Sequence, residues 1–504
     1  GINFSVFNSE NDRFFASYLG NGSRRRLSEL SNTRNYLPDR SYITDESRNQ
    51  LKTDTSHRLN LGLRKQIGEK QNLIMNGSLS YNATGNPLTA STESLLDGNK
   101  INSLVRNSDE VTSRLAGSAD ASYLLKINEG KTILRLSSRA GYSGNESRVN
   151  FRNGAEYFDP YRQENAKQFF DAGTMSSSYS ASLALTQKIT SQSYVDISAA
   201  AAWVNEENER KQGDMESDPI PSLSPVFEKN ERTYKPGLTW KLNTAKSNLT
   251  AGVLGNIGQF TSVLNGDIGM EQNYFFITPR ASWEYNYRSG RRLMLDYNTT
   301  VNTPGASQLN PVVNNLNPLS LFYGNRQLRP EYLHNARTTW WLFDQFSFTT
   351  LLASINARYT ENKIGFTRTV NQDLGQTVML RNTGNAWDMG GMIDFSTAIK
   401  PLGLKVNMVL DESYNKSPGL INEKENLNTS FIHRISLTLG NRKKEKWDAE
   451  AGSTFTITDS KYSVQKSLNN VFSDISVFTE IRYTPGSKFN VMGSADITKY
   501  SSPS

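Results

Sequence analysis

The chain carries no cysteine in 504 residues. That removes disulfide frameworks, thiolate nucleophiles and cysteine metal sites together, and it fits an exported bacterial protein. Histidine is nearly absent too. His57, His334 and His433 are the only three, and none stands at a ligand spacing such as H-x-x-x-H. They read as ordinary interface or lumen residues, and no metal or other cofactor is expected. No apolar run reaches the length of about 18 residues that a transmembrane helix needs. A membrane is not thereby excluded, because a closed barrel also satisfies every backbone amide inside lipid. Hydrophobic residues make up 36% of the chain and mean hydropathy is −0.58, poor material for the several packed cores this length would otherwise imply. Phosphate loops and dinucleotide fingerprints are missing. The net charge of +7 is scattered rather than gathered into the stripe expected of a nucleic-acid binder. The exceptions are Arg24-Arg25-Arg26 and Arg442-Lys443-Lys444, read as solvated ends of connections. For the first triplet a surface facing anionic lipid or a partner is the alternative.

What is abundant is aromatic and alternating. Tyr and Phe number 22 and 23. Near the end of the chain Phe489, Val491, Gly493, Ala495 and Ile497 fall on one face of an extended strand, with Asn490, Ser494, Asp496 and Thr498 on the other. Leu115, Gly117, Ala119, Ala121, Tyr123, Leu125 and Ile127 repeat the pattern against Arg114, Ser118, Asp120, Ser122 and Lys126. Val195, Ile197, Ala199, Ala201 and Trp203 do so against Asp196 and Ser198. A strand with one apolar and one polar face borders two media. Arg or Asp would be costly against a dry core but not against water. The fold expected is therefore all-β, a large transmembrane antiparallel barrel with lipid outside and a polar lumen inside. Tyr81, Tyr142, Trp203, Tyr287, Tyr297, Trp340, Trp341, Tyr359, Tyr483 and Tyr500 collect near strand ends, as girdles at the two interfaces would require. Plain β-propensity of aromatic residues is the competing explanation.

Connections alternate in length. Short ones such as Gly68-Glu69-Lys70-Gln71, Asn128-Glu129-Gly130, Ser191-Gln192, Ser289-Gly290 and Pro485-Gly486-Ser487 have the chemistry of tight hairpins. Long polar ones are expected at 20–56, 85–109, 146–173, 205–231, 304–330, 362–376 and 415–425. This is the asymmetry of an outer-membrane barrel, with short periplasmic turns and long extracellular loops. About 20 strands are visible in the pattern, and parity suggests about 22 in the whole barrel, the size of plugged transporters. Residues 1–504 read as one barrel domain. Gly1-Ile2-Asn3-Phe4-Ser5 already reads as mid-strand, so the expectation is a fragment whose plug and closing strands lie outside these residues.

One segment is sharply patterned. Pro311 to Tyr332 reads PVVNNLNPLSLFYGNRQLRPEY. Its core, Gly324-Asn325-Arg326-Gln327-Leu328-Arg329-Pro330-Glu331, resembles the GN-x-x-L-x-PE signature of TonB-dependent receptor barrels. The longer run from Asn317-Pro318 through Tyr323-Gly324-Asn325 resembles the form found in the outer-membrane barrels of Bacteroidota. Physically, Pro330 fixes φ and biases Arg329 toward extended backbone, and Gly324 is expected to permit a tight turn. On that basis the motif residues Gly324, Asn325, Leu328, Pro330 and Glu331 guide a loop back into a descending strand. Direct substrate contact by Tyr323, Arg326, Arg329 and Glu331 is the second reading.

The resemblance implies a Gram-negative outer-membrane protein, not an enzyme, that imports a scarce nutrient such as a glycan, peptide or metal chelate. It implies a plug domain and a segment engaging TonB. Outer-membrane lipid and lipopolysaccharide surround such a barrel, a surface lipoprotein is a further candidate partner, and nucleic acid is not one. Two other classes compete. One is a structural or docking barrel within a multi-protein outer-membrane complex. The other is a soluble all-β protein such as a propeller, which would need apolar residues on both strand faces and a blade-length repeat, and neither is seen. A rim hydrolase built on His334 and a loop Asp has nothing in the pattern to favour it.

Overall fold

The computed structural model describes every residue except 10–11, 37–40, 129–130, 216, 316, 318, 373, 465, 467–468, 487–488 and 502–504. Among the described residues 22 strands join into one sheet. Two of them, Leu88–Leu96 and Ser320–Tyr323, are short pieces at the long-connection end. The remaining 20 follow one another as antiparallel neighbours in chain order, from Ile2–Ser9 to Phe489–Ser501. Alternation is the reason. Leu59 stands opposite Leu79, Leu185 opposite Ile197, Leu238 opposite Val253, and Ile435 opposite Phe455. All of these are exposed to the outside, and together they form an apolar skin. The opposite parity places Asp120 across from Arg139 and Asp411 across from Arg434, so the inner wall is polar and wet.

Aromatic residues mark two levels on the outer skin. Tyr81, Tyr142, Trp203, Tyr297 and Tyr359 lie toward the long connections. Tyr287, Trp340 and Tyr483 lie toward the short turns, where the Trp340 indole Nε1–H donates to the Tyr287 hydroxyl at 2.8 Å. Short turns at Gly68 to Lys70, Ser289-Gly290 and the 3₁₀ turn Lys400–Leu402 close the periplasmic end. Of the hairpin residues read from sequence, Glu129, Gly130 and Ser487 lie outside the described residues, while Pro485 and Gly486 belong to the strand Asn470–Gly486.

The long connections are mostly not irregular. Asp12–Tyr36 and Ser41–Ile67 stay paired residue by residue through the whole of 20–36 and 41–56. Asn99–Ile127 has 29 residues and Tyr161–Lys188 has 28. Crossing a bilayer takes only about 9–11 residues of tilted strand, so most of each projects outward as a hairpin. Above the lipid the outer face is polar, and apolar residues persist only as inward patches such as Val149, Phe151, Ala155 and Tyr157, so the lipid-facing alternation that betrays a strand disappears although the backbone pairing continues.

Those projecting tips curl inward. Tyr42, from the second long hairpin strand, is buried with Val370 and Leu374 from the opposite part of the sheet, and Ile421 packs beside them. The sheet therefore wraps round, and its hairpins meet above the lumen. Its first and last strands each have one partner among the described residues.

Candidate functional site

The mouth of the barrel holds a long connection that is not a hairpin, 303–330. It begins Thr303-Pro304-Gly305 and contains Pro311 and Pro330. Proline has no N–H for a ladder, and its recurrence at 304, 311 and 330 interrupts pairing along this segment. It instead forms one helical turn, Ala306–Leu309, and the short strand Ser320–Tyr323. That strand lies parallel to Gln376–Met379 of the wall on which the strap returns. On the opposite side Leu319 is buried with Leu104, Ala155 and Tyr157, and Asn315 accepts a hydrogen bond from the Gln212 side chain at 2.8 Å. The segment thus crosses the mouth as a strap.

An apolar knot anchors it. Leu309 and Leu328 are fully buried with Phe227, Phe260, Ala306 and Leu380, and Phe322, Tyr274 and Ile364 pack around them. Beside the knot sits a buried ionic group. Lys229, 2% exposed, places its Nζ 2.7 Å from Glu231 Oε2 and 3.1 Å from Thr303 Oγ1. Thr303 Oγ1 donates to the same carboxylate oxygen at 2.6 Å, and the Tyr274 hydroxyl donates to Oε1 at 2.7 Å. Glu206 Oε2 accepts the Ala306 N–H at 2.8 Å and lies 4.0 Å from Lys229 Nζ. Every end of the buried charge is answered, which a low-dielectric site requires. Sequence reading did not single out this group. Its one visible trace is Lys229 and Glu231 on the polar face of a strand. Their partner Thr303 lies 72 residues from Glu231, and nothing in the pattern announces it.

The motif residues find their places around the strap. Asn325 donates from its side chain to Leu380 O at 3.0 Å and accepts from Gln327 N at 2.9 Å. Arg329 N donates to the Asn382 amide oxygen at 2.9 Å, and that amide returns a bond to Arg329 O at 3.1 Å. Glu331 is buried; its Oε1 accepts Ile364 N at 2.7 Å and lies 3.2 Å from Lys363 Nζ. Pro330 is buried, and Glu331 opens the descending strand Glu331–Asp344. Gly324 differs from expectation in its reason. Its backbone is not left-handed. A Cβ there would come 2.4 Å from Asn310 O and 2.6 Å from Gln308 O, so glycine is needed for close backbone approach rather than for a turn.

Of the four residues given a substrate reading, Tyr323 is half-buried on the strand that meets Gln376–Met379, and Arg329 is exposed. Arg326 is half-buried with its guanidinium against Gly269. Glu331 is engaged as described. The four share one segment but not one cavity. Elsewhere at the mouth Arg210 is 6% exposed, donating from Nε to Leu223 O at 2.8 Å; burial pushes its guanidinium below the ordinary value. Arg106 is lowered likewise by burial, opposed by Glu110 and reinforced by Arg48. His57, His334 and His433 all sit on the outer skin, hydrogen-bonded or ion-paired to Tyr18, Tyr297 and Glu412 respectively. No group of three or more metal-ligating side chains occurs among the described residues.

Comparison with known proteins places this geometry. A family model described as the outer membrane protein beta-barrel family matches residues 125–497. No curated protein matches the chain. Similar solved structures include the copper transporter OprC, with 11% identity over 97% of this chain and 82% of that chain, TM-score 0.50. The hemophore receptor HasR of Serratia marcescens, solved as a double mutant with its hemophore HasA and heme, has 10% identity over 95% and 80%, TM-score 0.46. BauA, the ferric preacinetobactin receptor of Acinetobacter baumannii, has 10% identity over 98% and 80%, TM-score 0.46. Likeness at such identity is likeness of fold.

Proposed function

Because the chain belongs to the outer membrane protein beta-barrel family and lies in the outer membrane, we propose that it forms the barrel of an energy-coupled receptor that imports a nutrient. The observation that carries this reading is the construction of the mouth. A wide polar lumen is narrowed from above by inward-curling hairpins and by a strap tied to both walls. A passive pore needs no such cover, whereas a receptor that binds before it admits does. Barrels of about 22 strands are the size of plugged transporters, and the proposal includes a plug domain and TonB engagement supplied by residues outside 1–504, together with strands that complete the wall. Substrate contact is assigned to the strap, with Tyr323 and Arg329 reaching the ligand and Arg326 and Glu331 holding the strap's shape. An aromatic face suits a sugar or chelate, and an exposed guanidinium suits a carboxylate.

The test is uptake of labelled glycans, peptides and metal chelates by cells with and without the gene, with TonB present and deleted. Loss of uptake of one class in both mutants supports the proposal. Unchanged uptake, with stable co-purification of a surface lipoprotein, would overturn it in favour of a docking barrel.

A further inference from the structure

Away from the mouth, the outer wall near the periplasmic end carries a feature the import reading does not use. A cleft of about 480 Å³ opens between the strands Arg291–Asn302, Glu331–Asp344 and Thr349–Val370, lined by Tyr287, Leu293, Thr338, Trp340, Ala353 and Ile355. Register explains the hollow. Trp340 stands opposite Leu293 on one side and Ala353 on the other, and Thr338 stands opposite Leu295 and Ile355. Small Ala353 and Thr338 therefore leave a gap between bulky neighbours. The 2.8 Å bond from Trp340 Nε1 to the Tyr287 hydroxyl fixes the indole as one side of it and occupies the polar atoms there, so the lining presents carbon.

Just below, toward the short turns, the chemistry changes sign. Arg291 follows the parity of Leu293 and stands opposite both Arg288 and Leu342. In the neighbouring turns Lys400 Nζ donates to Phe346 O at 2.9 Å, and the Arg442 guanidinium lies 4.5 Å from the Phe348 ring centre. Phe346 and Leu402 are 77% and 67% exposed, as side chains entering a headgroup layer would be. The acids nearby are engaged. Asp344 accepts Phe346 N at 3.0 Å and the Ser347 hydroxyl at 2.8 Å and lies close enough to Arg291 to share its charge, and Glu284 lies 3.6 Å from Arg292.

A carbon-lined slot continuous with the lipid-facing skin, above an arginine and lysine rim, fits an amphiphile with an anionic head. We propose that this wall is a binding site for an anionic phospholipid of the periplasmic leaflet, its acyl chain in the cleft against Trp340 and Ala353 and its phosphate over Arg288 and Arg291. The position at the short-turn end selects phospholipid over lipopolysaccharide, which occupies the other leaflet.

The test is native mass spectrometry of the purified full-length protein after equilibration in detergent with equal phosphatidylglycerol, phosphatidylethanolamine and lipid A. The expected result is preferential retention of phosphatidylglycerol. Retention falls roughly five-fold for each arginine removed in R288Q and R291Q, the fold-change that about 1 kcal/mol per basic residue at an anionic surface gives. Filling the slot with A353F lowers retention without changing the rim, while A451F on a distant part of the skin leaves it unchanged. Equal retention of the two phospholipids, preferential retention of lipid A, or retention untouched by all three variants near the cleft would overturn the proposal. Because A353F and R291Q alter different parts of the site, misfolding of one still leaves the other to decide.

Discussion

The strap at 303–330 and the hairpin made by Asp12–Tyr36 and Ser41–Ile67 have similar polar compositions and meet the same problem in opposite ways. Each must satisfy its backbone beyond the lipid. The hairpin pairs with itself over its full length, so its stability is local and its side chains are left largely uncommitted. The strap, broken by proline, has no continuous partner. It relies on a buried apolar knot, a buried ion pair and single hydrogen bonds to distant walls. The lesson is that length and polarity do not distinguish a self-sufficient projection from one that depends on its surroundings. Recurrent proline does, since single prolines such as Pro236, Pro279 and Pro418 stay within paired strands.

Substitutions can break that contrast in order of size. The largest effect is expected from Lys229→Met, which leaves Glu231 buried without its cation; losing one partner of such a pair costs about 3–5 kcal/mol. Protease cleavage within 303–330 should then rise sharply while the 12–67 hairpin stays protected, and equal protection of both segments would remove the ion pair from the account. Leu328→Ala opens a hole in the knot worth about 2–5 kcal/mol, read as a lower unfolding temperature in detergent and earlier strap cleavage. Gly324→Ala drives a methyl into Asn310 O, and overpacking of that kind costs about 1–3 kcal/mol. A Gly324→Ala protein as stable as the parent would show that the 2.4 Å approach relaxes freely. The smallest effect belongs to a hairpin. Asn422 and Glu423 form a two-residue turn with positive φ at both positions, the geometry favoured in tight hairpins. Two glycines inserted between them add little closure entropy, which grows slowly with loop length, and loosen only the tip contact in which Asn422 Oδ1 accepts Val370 N. Hydrogen exchange in 404–441 should be unchanged below the turn.

How far the sequence disclosed this follows from the same physics. Within the membrane, lipid on one face and water on the other impose alternation, so strands such as Asn99–Ile127 were legible from Leu115 to Ile127. Above the membrane water lies on the outer face, and the inner face is dry only in patches such as that of Val149, Phe151, Ala155 and Tyr157. Residues 20–36 and 41–56 lose their contrast there and read as loop although they are strand. The GN-x-x-L-x-PE segment was legible as the return of a loop into Glu331–Asp344. The reason for Gly324 was not, because the carbonyls that exclude a side chain come from Gln308 and Asn310 folded back upon it. Lys229, Glu231 and Thr303 were illegible for a related reason. Their meeting depends on how the sheet wraps, and no local pattern encodes that distance.

Ser320–Tyr323 adds a parallel partner to Gln376–Met379 while Leu319, next to it in the chain, is held by Leu104, Ala155 and Tyr157. In mechanical terms this is a chord across a ring. A sheet wrapped into a cylinder flattens easily into an ellipse, because neighbouring strands need only pivot slightly about their hydrogen bonds. A chord tied at both rims fixes one diameter. The upper lumen should therefore keep its width when the lower lumen is deformed from the periplasmic side, and widen only when one end of the chord lets go.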